Sequence, residues 1–340
     1  MPGFRKPAAG LTCLFALAAA GCSAGSGGST DAPSRSRESA AASAPAPSGT
    51  SYAPYVSATD ASGTDSSGSP STYNLAFVTA DGSGCTPKWN GEKALTDPAV
   101  TSRIARLRGT GGSVRVSFGG ASGKELASTC DSASALAAAY GKALDAAGAT
   151  RADFDIEGAG LTDADSVARR SQAIALLQKE RGGLEVSFTL PVMPSGLDSG
   201  GLALLESANT YDVRVATVDL MTMNYGESYT GDMGDYALTS AKAAHAQLKK
   251  VFGLSDAGAW QGMALTSMIG VNDIAGETFT LSDAAQVRTF ARQKAMAWVS
   301  MWATFRDQQC EAGKPARDDA ATDCSGVEQS PGEFGRAFAG

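Results

Sequence analysis

The chain has 340 residues, enough for one large α/β domain with little left over. Its formal net charge of −7, from 28 Lys and Arg against 35 Asp and Glu, argues against a nucleic-acid partner, since such proteins gather cations on one face. With one histidine, His245, a nucleophile triad or multi-histidine metal site would have to run through that residue alone, so carboxylate chemistry without metal or cofactor is expected.

In chain order, Arg5 and Lys6 precede an apolar run at residues 11–20 that is too short to span a bilayer, so residues 1–22 read as an export signal. Its end, Ala19-Ala20-Gly21-Cys22, is similar to the lipobox of bacterial lipoproteins, in which the cysteine carries the lipid; Ala19 replaces the usual leucine, and a plain secretory signal is the alternative. The protein is expected outside the cell, with membrane contact only through a lipid on Cys22. Residues 23–51 are almost all Ser, Ala, Gly and Pro, which cannot bury enough apolar surface to fold, and read as a tether. Cys13 leaves with the signal. The remaining Cys85, Cys130, Cys310 and Cys324 suggest two disulfides in an exported domain; of three possible pairings, Cys85 with Cys130 and Cys310 with Cys324 is favoured, the second closing a short loop.

From Tyr52 onward, short β-rich runs alternate with helical patterns, the signature of repeated βα units and a parallel sheet. Strands are expected at residues 52–58, 75–80, 113–118, 152–157, 184–190, 217–224, 263–269 and 298–302. Eight strands suggest closure into a (β/α)8 barrel filling 52–340, a monomer by expectation. Between them, Leu136, Tyr140 and Leu144 recur at helical spacing before Gly148, and Thr162 is expected to cap a helix reaching Glu180. Ser330-Pro331-Gly332-Glu333 reads as a capping box for a last short helix. His245 falls in a helical stretch, residues 240–252, where a structural role is expected.

The most informative segment is Arg151-Ala152-Asp153-Phe154-Asp155-Ile156-Glu157-Gly158. Side chains alternate along a strand, so Asp153, Asp155 and Glu157 share one face while Phe154 and Ile156 share the other. In a barrel the acids would line the interior and reach the C-terminal mouth, where barrel active sites lie. Three carboxyl groups so close cannot all ionise, so one should hold a proton at neutral pH, as a general acid requires. A solvated edge strand, or a calcium site built from the same oxygens, is the structural alternative.

This segment resembles glycoside hydrolase family 18, the chitinase family, whose fourth-strand motif is Asp-x-x-Asp-x-Asp-x-Glu; the match here is Thr150-x-x-Asp153-x-Asp155-x-Glu157, with threonine in the first place. Other family marks follow in order: Ser117-Phe118-Gly119-Gly120, Met221-Thr222-Met223-Asn224-Tyr225-Gly226 and Trp302, while Met268-Ile269-Gly270-Val271-Asn272-Asp273 and Arg306-Asp307 look like one bacterial branch. The resemblance implies hydrolysis of β-1,4 links between N-acetylglucosamine units of chitin or its oligomers, with help from the substrate's own acetamido group. Glu157 would be the acid and base, Asp155 would orient the acetamido group, and Asp153 would share a proton with Asp155. Trp302 would floor the reacting sugar, unless it is a core tryptophan. Met221, Met223, Asn224 and Tyr225 would bind substrate, the Tyr225 hydroxyl reaching it where many members carry tyrosine at Met223. Ser117, Gly119 and Gly120 would be structural.

Asn224 stands where many members carry aspartate, which removes a negative charge near Glu157 and should leave it more acidic. Too few residues separate Gly270 from Ser282 to hold the α+β insertion that deepens the cleft of some relatives, so an open groove and internal cleavage are expected. Cleavage of the chitobiose core of N-glycans is a rival within the class, and a non-catalytic cell-surface chitin-binding protein a rival outside it.

Overall fold

A computed structural model describes residues 49–82, 84–311 and 323–340. The export signal, Cys13, Cys22 and the tether up to residue 48 lie outside these residues. The expected end of the tether is corrected: Thr50 is buried, its hydroxyl donating to Ala291 O at 3.0 Å, and Ser51 already pairs in the sheet. The weak composition ends at Ser51-Tyr52-Ala53-Pro54-Tyr55-Val56, where aromatic and branched side chains supply a surface worth burying.

The elements run in chain order as follows. Strands β1 (Ser51–Tyr52) and β2 (Tyr55–Ser57) lead to β3 (Thr72–Ala80), a short β4 (Pro87–Trp89) antiparallel to it, α1 (Pro98–Gly109), β5 (Ser113–Gly119) and α2 (Ala133–Ala147). Then come β6 (Arg151–Asp155), the single turn α3 (Ala159–Thr162), α4 (Ala164–Glu180), β7 (Glu185–Pro191), α5 (Ser199–Thr210), β8 (Val215–Met221), α6 (Met233–Phe252) and α7 (Asp256–Gln261). The chain finishes with β9 (Met263–Met268), a hairpin of β10 (Gly270–Val271) and β11 (Thr278–Phe279), α8 (Leu281–Lys294), β12 (Trp298–Trp302) and α9 (Glu333–Ala339).

The sheet order is β1-β12-β9-β8-β7-β6-β5-β3-β2, parallel along this path. Because β1 and β2 are one strand interrupted at Ala53-Pro54, the first strand bonds β12 on one side and β3 on the other, and the barrel closes. Proline has no N–H to donate, so the break falls there; Ala53 N still reaches Val299 O and Asn74 N reaches Pro54 O, both at 2.9 Å. The expected (β/α)8 barrel is therefore present. Between β9 and α8 lies only the β10–β11 hairpin, so the α+β insertion is absent there.

The apolar core lies outside the barrel, between strands and helices. Phe118, Phe154 and Phe188 sit side by side in register on β5, β6 and β7, and Phe118 and Phe154 pack against Tyr140 of α2. The opposite parity, Asn74, Arg115, Ser117, Asp153, Ser187, Asp219, Thr266 and Ser300, is buried and polar and fills the barrel. In so narrow a cylinder these groups must find partners in one another.

Both expected disulfides, Cys85–Cys130 and Cys310–Cys324, are formed. As expected, α2 ends at Gly148 in the left-handed conformation. Four boundaries are corrected. The cap of α4 is Asp163, accepting from Asp165 N, because Thr162 is spent in the turn α3. α9 starts at Glu333 with Gly332 before it; only half of the expected box forms, Ser330 N donating to Glu333 Oε2 at 2.7 Å. β6 and β8 end at Asp155 and Met221, two and three residues short of expectation. His245 has a structural place on α6, stacked 4.0 Å from Trp260.

Candidate active site

The site grows out of the middle of β6. Arg151, Asp153 and Asp155 alternate into the barrel, where the register sets Ser117 of β5 and Ser187 of β7 on either side of Asp153. Four hydroxyls converge on this carboxylate: Tyr55 Oη (2.9 Å) and Ser117 Oγ (2.7 Å) on Oδ2, Ser187 Oγ (2.7 Å) and Thr189 Oγ1 (2.9 Å) on Oδ1. The role expected of Ser117 is thus specific: it supports the lowest acid of the ladder.

One step along the strand, Asp155 is 5 % exposed. Burial pushes its carboxyl group well above the usual range, and the neighbouring charges of Glu157, Asp153 and Asp219 add to this. Of its neighbours Glu157 acts on it most strongly and Asp153 next, the oxygens of Asp153 being already taken by four hydroxyls. Asp155 Oδ1 is buried with no partner. Glu157 stands just beyond the strand end, after Ile156 N has made a last ladder bond to Thr189 O at 3.0 Å. Burial raises its affinity for a proton, the hydrogen bond from Asp155 opposes this, and the charge of Asp273 reinforces it.

β5 must come close for this arrangement to exist. Gly119 has φ +98°, and a Cβ there would collide with the Asp155 carbonyl; at Gly120, with φ +88°, a Cβ would run into the ring of Phe77, and its N–H donates to Asp155 O at 2.9 Å. Only glycine fits both demands at 119. The structural reading of this pair is accounted for by contact with the acid strand.

Above the acids opens a cleft of about 1000 Å³. Trp302 lines it, stacked on Phe77 with ring centroids 5.5 Å apart and planes at 15°, and 5.8 Å from Tyr55. Met221, Met223 and Asn224 line the wall. Tyr225 does not. It is 4 % exposed and packs against Tyr229 and Tyr236 at 5.8 and 5.7 Å. The alternation that would have aimed it inward stops with β8 at Met221, and Asn224 turns the chain through a left-handed conformation, φ 54°. Six carboxyl groups line the cleft, Asp60, Asp155, Glu157, Asp198, Asp273 and Asp323, and among the described residues no basic side chain does. Such a lining suits a neutral or cationic ligand and repels an anion. Among the described residues no group of three His, Cys, Asp or Glu side chains has a metal-holding arrangement.

Four contributors were not legible as site residues: Tyr55, Phe77, Thr189 and Asp219. The last could have been found by parity, since Thr217, Asp219 and Met221 alternate on β8 as the acids do on β6. Asp219 is 1 % exposed; its Oδ2 accepts from Thr266 Oγ1 (2.8 Å) and Trp298 Nε1 (3.1 Å), and its Oδ1 has no partner. Burial and then the charge of Asp153 push it up to about 7.

A closed barrel with a ladder of acids at the carboxyl ends of its strands has the architecture of a barrel glycoside hydrolase. No family model matches the chain. The catalytic domain of a hyperthermophilic chitinase from Pyrococcus furiosus is 30% identical and superposes with a TM-score of 0.73, covering 84% of this chain and 93% of that one. A probable bifunctional chitinase/lysozyme of Escherichia coli is 34% identical over 275 residues, and endochitinase 11 of Metarhizium anisopliae 32% over 274, each across 75% of this chain. The chain spans 31% and 52% of the lengths of these two curated relatives. It belongs to the chitinase family, glycoside hydrolase family 18.

Proposed function

We propose that this protein hydrolyses β-1,4 links between N-acetylglucosamine units in chitin and its oligomers, with retention and without a protein nucleophile. Glu157 gives its proton to the glycosidic oxygen as the bond to the leaving sugar breaks. The acetamido oxygen of the sugar above Trp302 attacks the anomeric carbon and forms a cyclic oxazolinium ion. Glu157, now ionised, takes a proton from water, and the resulting hydroxide adds to that carbon and restores the acetamido group. Asp155 orients the acetamido nitrogen and balances the positive charge of the ion.

The observation that carries this reading is Asp155 itself: its Oδ1 buried without a partner, on the wall of a cleft that Glu157 and Trp302 also line. An acetamido N–H is a donor suited to that oxygen. The chitinases of Pyrococcus furiosus and the two curated relatives support the same substrate class. The short hairpin after β9 favours an open groove and internal cleavage.

Glu157→Gln tests the assignment. It should lower kcat on N-acetylglucosamine oligomers by about 10²- to 10⁴-fold while oligomer binding, read by calorimetry, persists. A variant that still releases reducing ends at the parent rate would refute the role of Glu157. Release from colloidal chitin but not from a glycoprotein separates this activity from cleavage of N-glycan cores.

A further inference from the structure

We infer that Asp273, held in place by the amide of Asn224, is a positioning residue whose charge sets the upper pH limit at which Glu157 still serves as an acid. The inference rests on the proposed role of Glu157. It concerns the charge that position 224, just after β8, lacks because asparagine stands there.

Asn224 and Asp273 grip each other through two hydrogen bonds: Asn224 Nδ2 donates to Asp273 Oδ2, and Asp273 N donates to Asn224 Oδ1, both at 3.0 Å. Both residues line the cleft that Glu157 enters. The grip is rigid at both ends. Asn224 sits in the left-handed turn after β8, and Glu277 on the same hairpin region as Asp273 accepts the N–H of Gly226 at 2.8 Å, fastening the hairpin to that turn. Asp273 Oδ1 is buried with no hydrogen-bond partner among the described residues.

The choice of residue at 224 follows from this contact. An amide donates to a carboxylate and leaves it charged. An aspartate at 224 would put two carboxylates in contact, and the pair would hold a proton between them. Asparagine therefore does not remove the negative charge from the neighbourhood of Glu157; it moves the charge to the hairpin.

Other charged groups face Glu157 from each element around it. Asp155 comes from its own strand, backed by Asp153 and Asp219. Lys124, Glu125 and Asp163 line the hollow of about 660 Å³ that shares Asp155 and Glu157 with the cleft, and Glu125 is paired there with Arg170 at 2.7 Å. Asp273 acts from the hairpin, raising the proton affinity of Glu157 beyond what burial does.

The test is the dependence of kcat/KM on pH with an N-acetylglucosamine tetramer, in the parent protein, Asp273→Asn, and the exchange variant Asn224→Asp with Asp273→Asn. Asp273→Asn keeps an oxygen acceptor for Asn224 and removes only the charge. Its alkaline limb should fall by about half a unit to one unit, the scale on which one neighbouring charge moves a carboxyl group. The exchange variant, again one amide against one carboxylate, should bring the limb back. An unchanged limb in Asp273→Asn overturns the inference. So does an Asp273→Asn protein inactive at every pH whose activity the exchange variant fails to restore. Glu157→Gln distinguishes the two levels: if that variant remains active with the same limb, the acid itself is misassigned, whereas an inactive Glu157→Gln beside an unmoved limb in Asp273→Asn discards the role of Asp273 alone.

Discussion

Asp153 and Asp219 are each 1 % exposed inside the same barrel, yet their surroundings differ. Asp153 gathers four hydroxyl donors, whereas Asp219 has two donors on one oxygen and none on the other, and burial drives it up to about 7. A carboxyl group whose folded value lies above its unfolded one binds a proton more tightly in the native state. Its stabilising contribution is complete below about pH 4 and is lost as the pH rises through about 7. Asp219→Asn keeps an acceptor for Thr266 and Trp298 and cannot ionise, so at pH 8 it should raise the unfolding free energy, by at most on the order of 4 kcal/mol, and Tm with it, while at pH 4 both stay nearly unchanged. Calorimetric Tm values at the two pH values decide, and an equal effect at both would sink the explanation.

At this scale the acid ladder was legible because alternation on a short strand is a local rule: Asp153 and Asp155 point inward while Phe154 and Ile156 point out. Their partners were not. The hydroxyl of Tyr55 meets Asp153 across 98 positions of sequence, and Asn224 meets Asp273 across 49. Neither meeting has a local signature, since each depends on how the barrel closes and how two loops lean together.

Elements behave less regularly than their sequence patterns at their ends. The resemblance implied a substrate role for Tyr225, which a strand running on past Met221 would aim into the barrel, but the strand stops there and the turn at Asn224 buries the ring. α9 shows the reverse, a boundary motif answered from far away. Asp307, 0 % exposed, accepts the N–H groups of Phe334 at 3.0 Å and Gly335 at 2.8 Å, supplying the cap that Gly332 cannot. Phe338 of the same helix then stacks on Tyr52 of β1, ring centroids 6.2 Å apart. Asp307→Ala should cost roughly 2–3 kcal/mol, the scale of buried hydrogen bonds to a charged acceptor, and should speed amide exchange in α9 before the rest of the barrel. Exchange rates in α9 that match the parent protein's would count against this cap.

For the whole molecule, the alternation of β and α patterns told the architecture, because a parallel barrel repeats one local unit eight times. The disulfides add stability unequally. Cys85–Cys130 spans 45 residues and Cys310–Cys324 spans 14, so chain entropy alone predicts contributions of about 4 and 3 kcal/mol. Replacing Cys85 and Cys130 together should therefore lower the unfolding free energy in urea more than replacing the other pair; the opposite ranking would show that native-state contacts dominate.

The split first strand also governs how the molecule can be made. Ser51 and Ala297, which meet at the seam, lie 246 residues apart, so during synthesis the opening strand emerges long before its neighbour exists. Until β12 arrives, the polar lining faces water and one row of backbone groups is left open to strangers. The last strand of the barrel must be in place before the first has both its neighbours, so the seam is the joint that closes last.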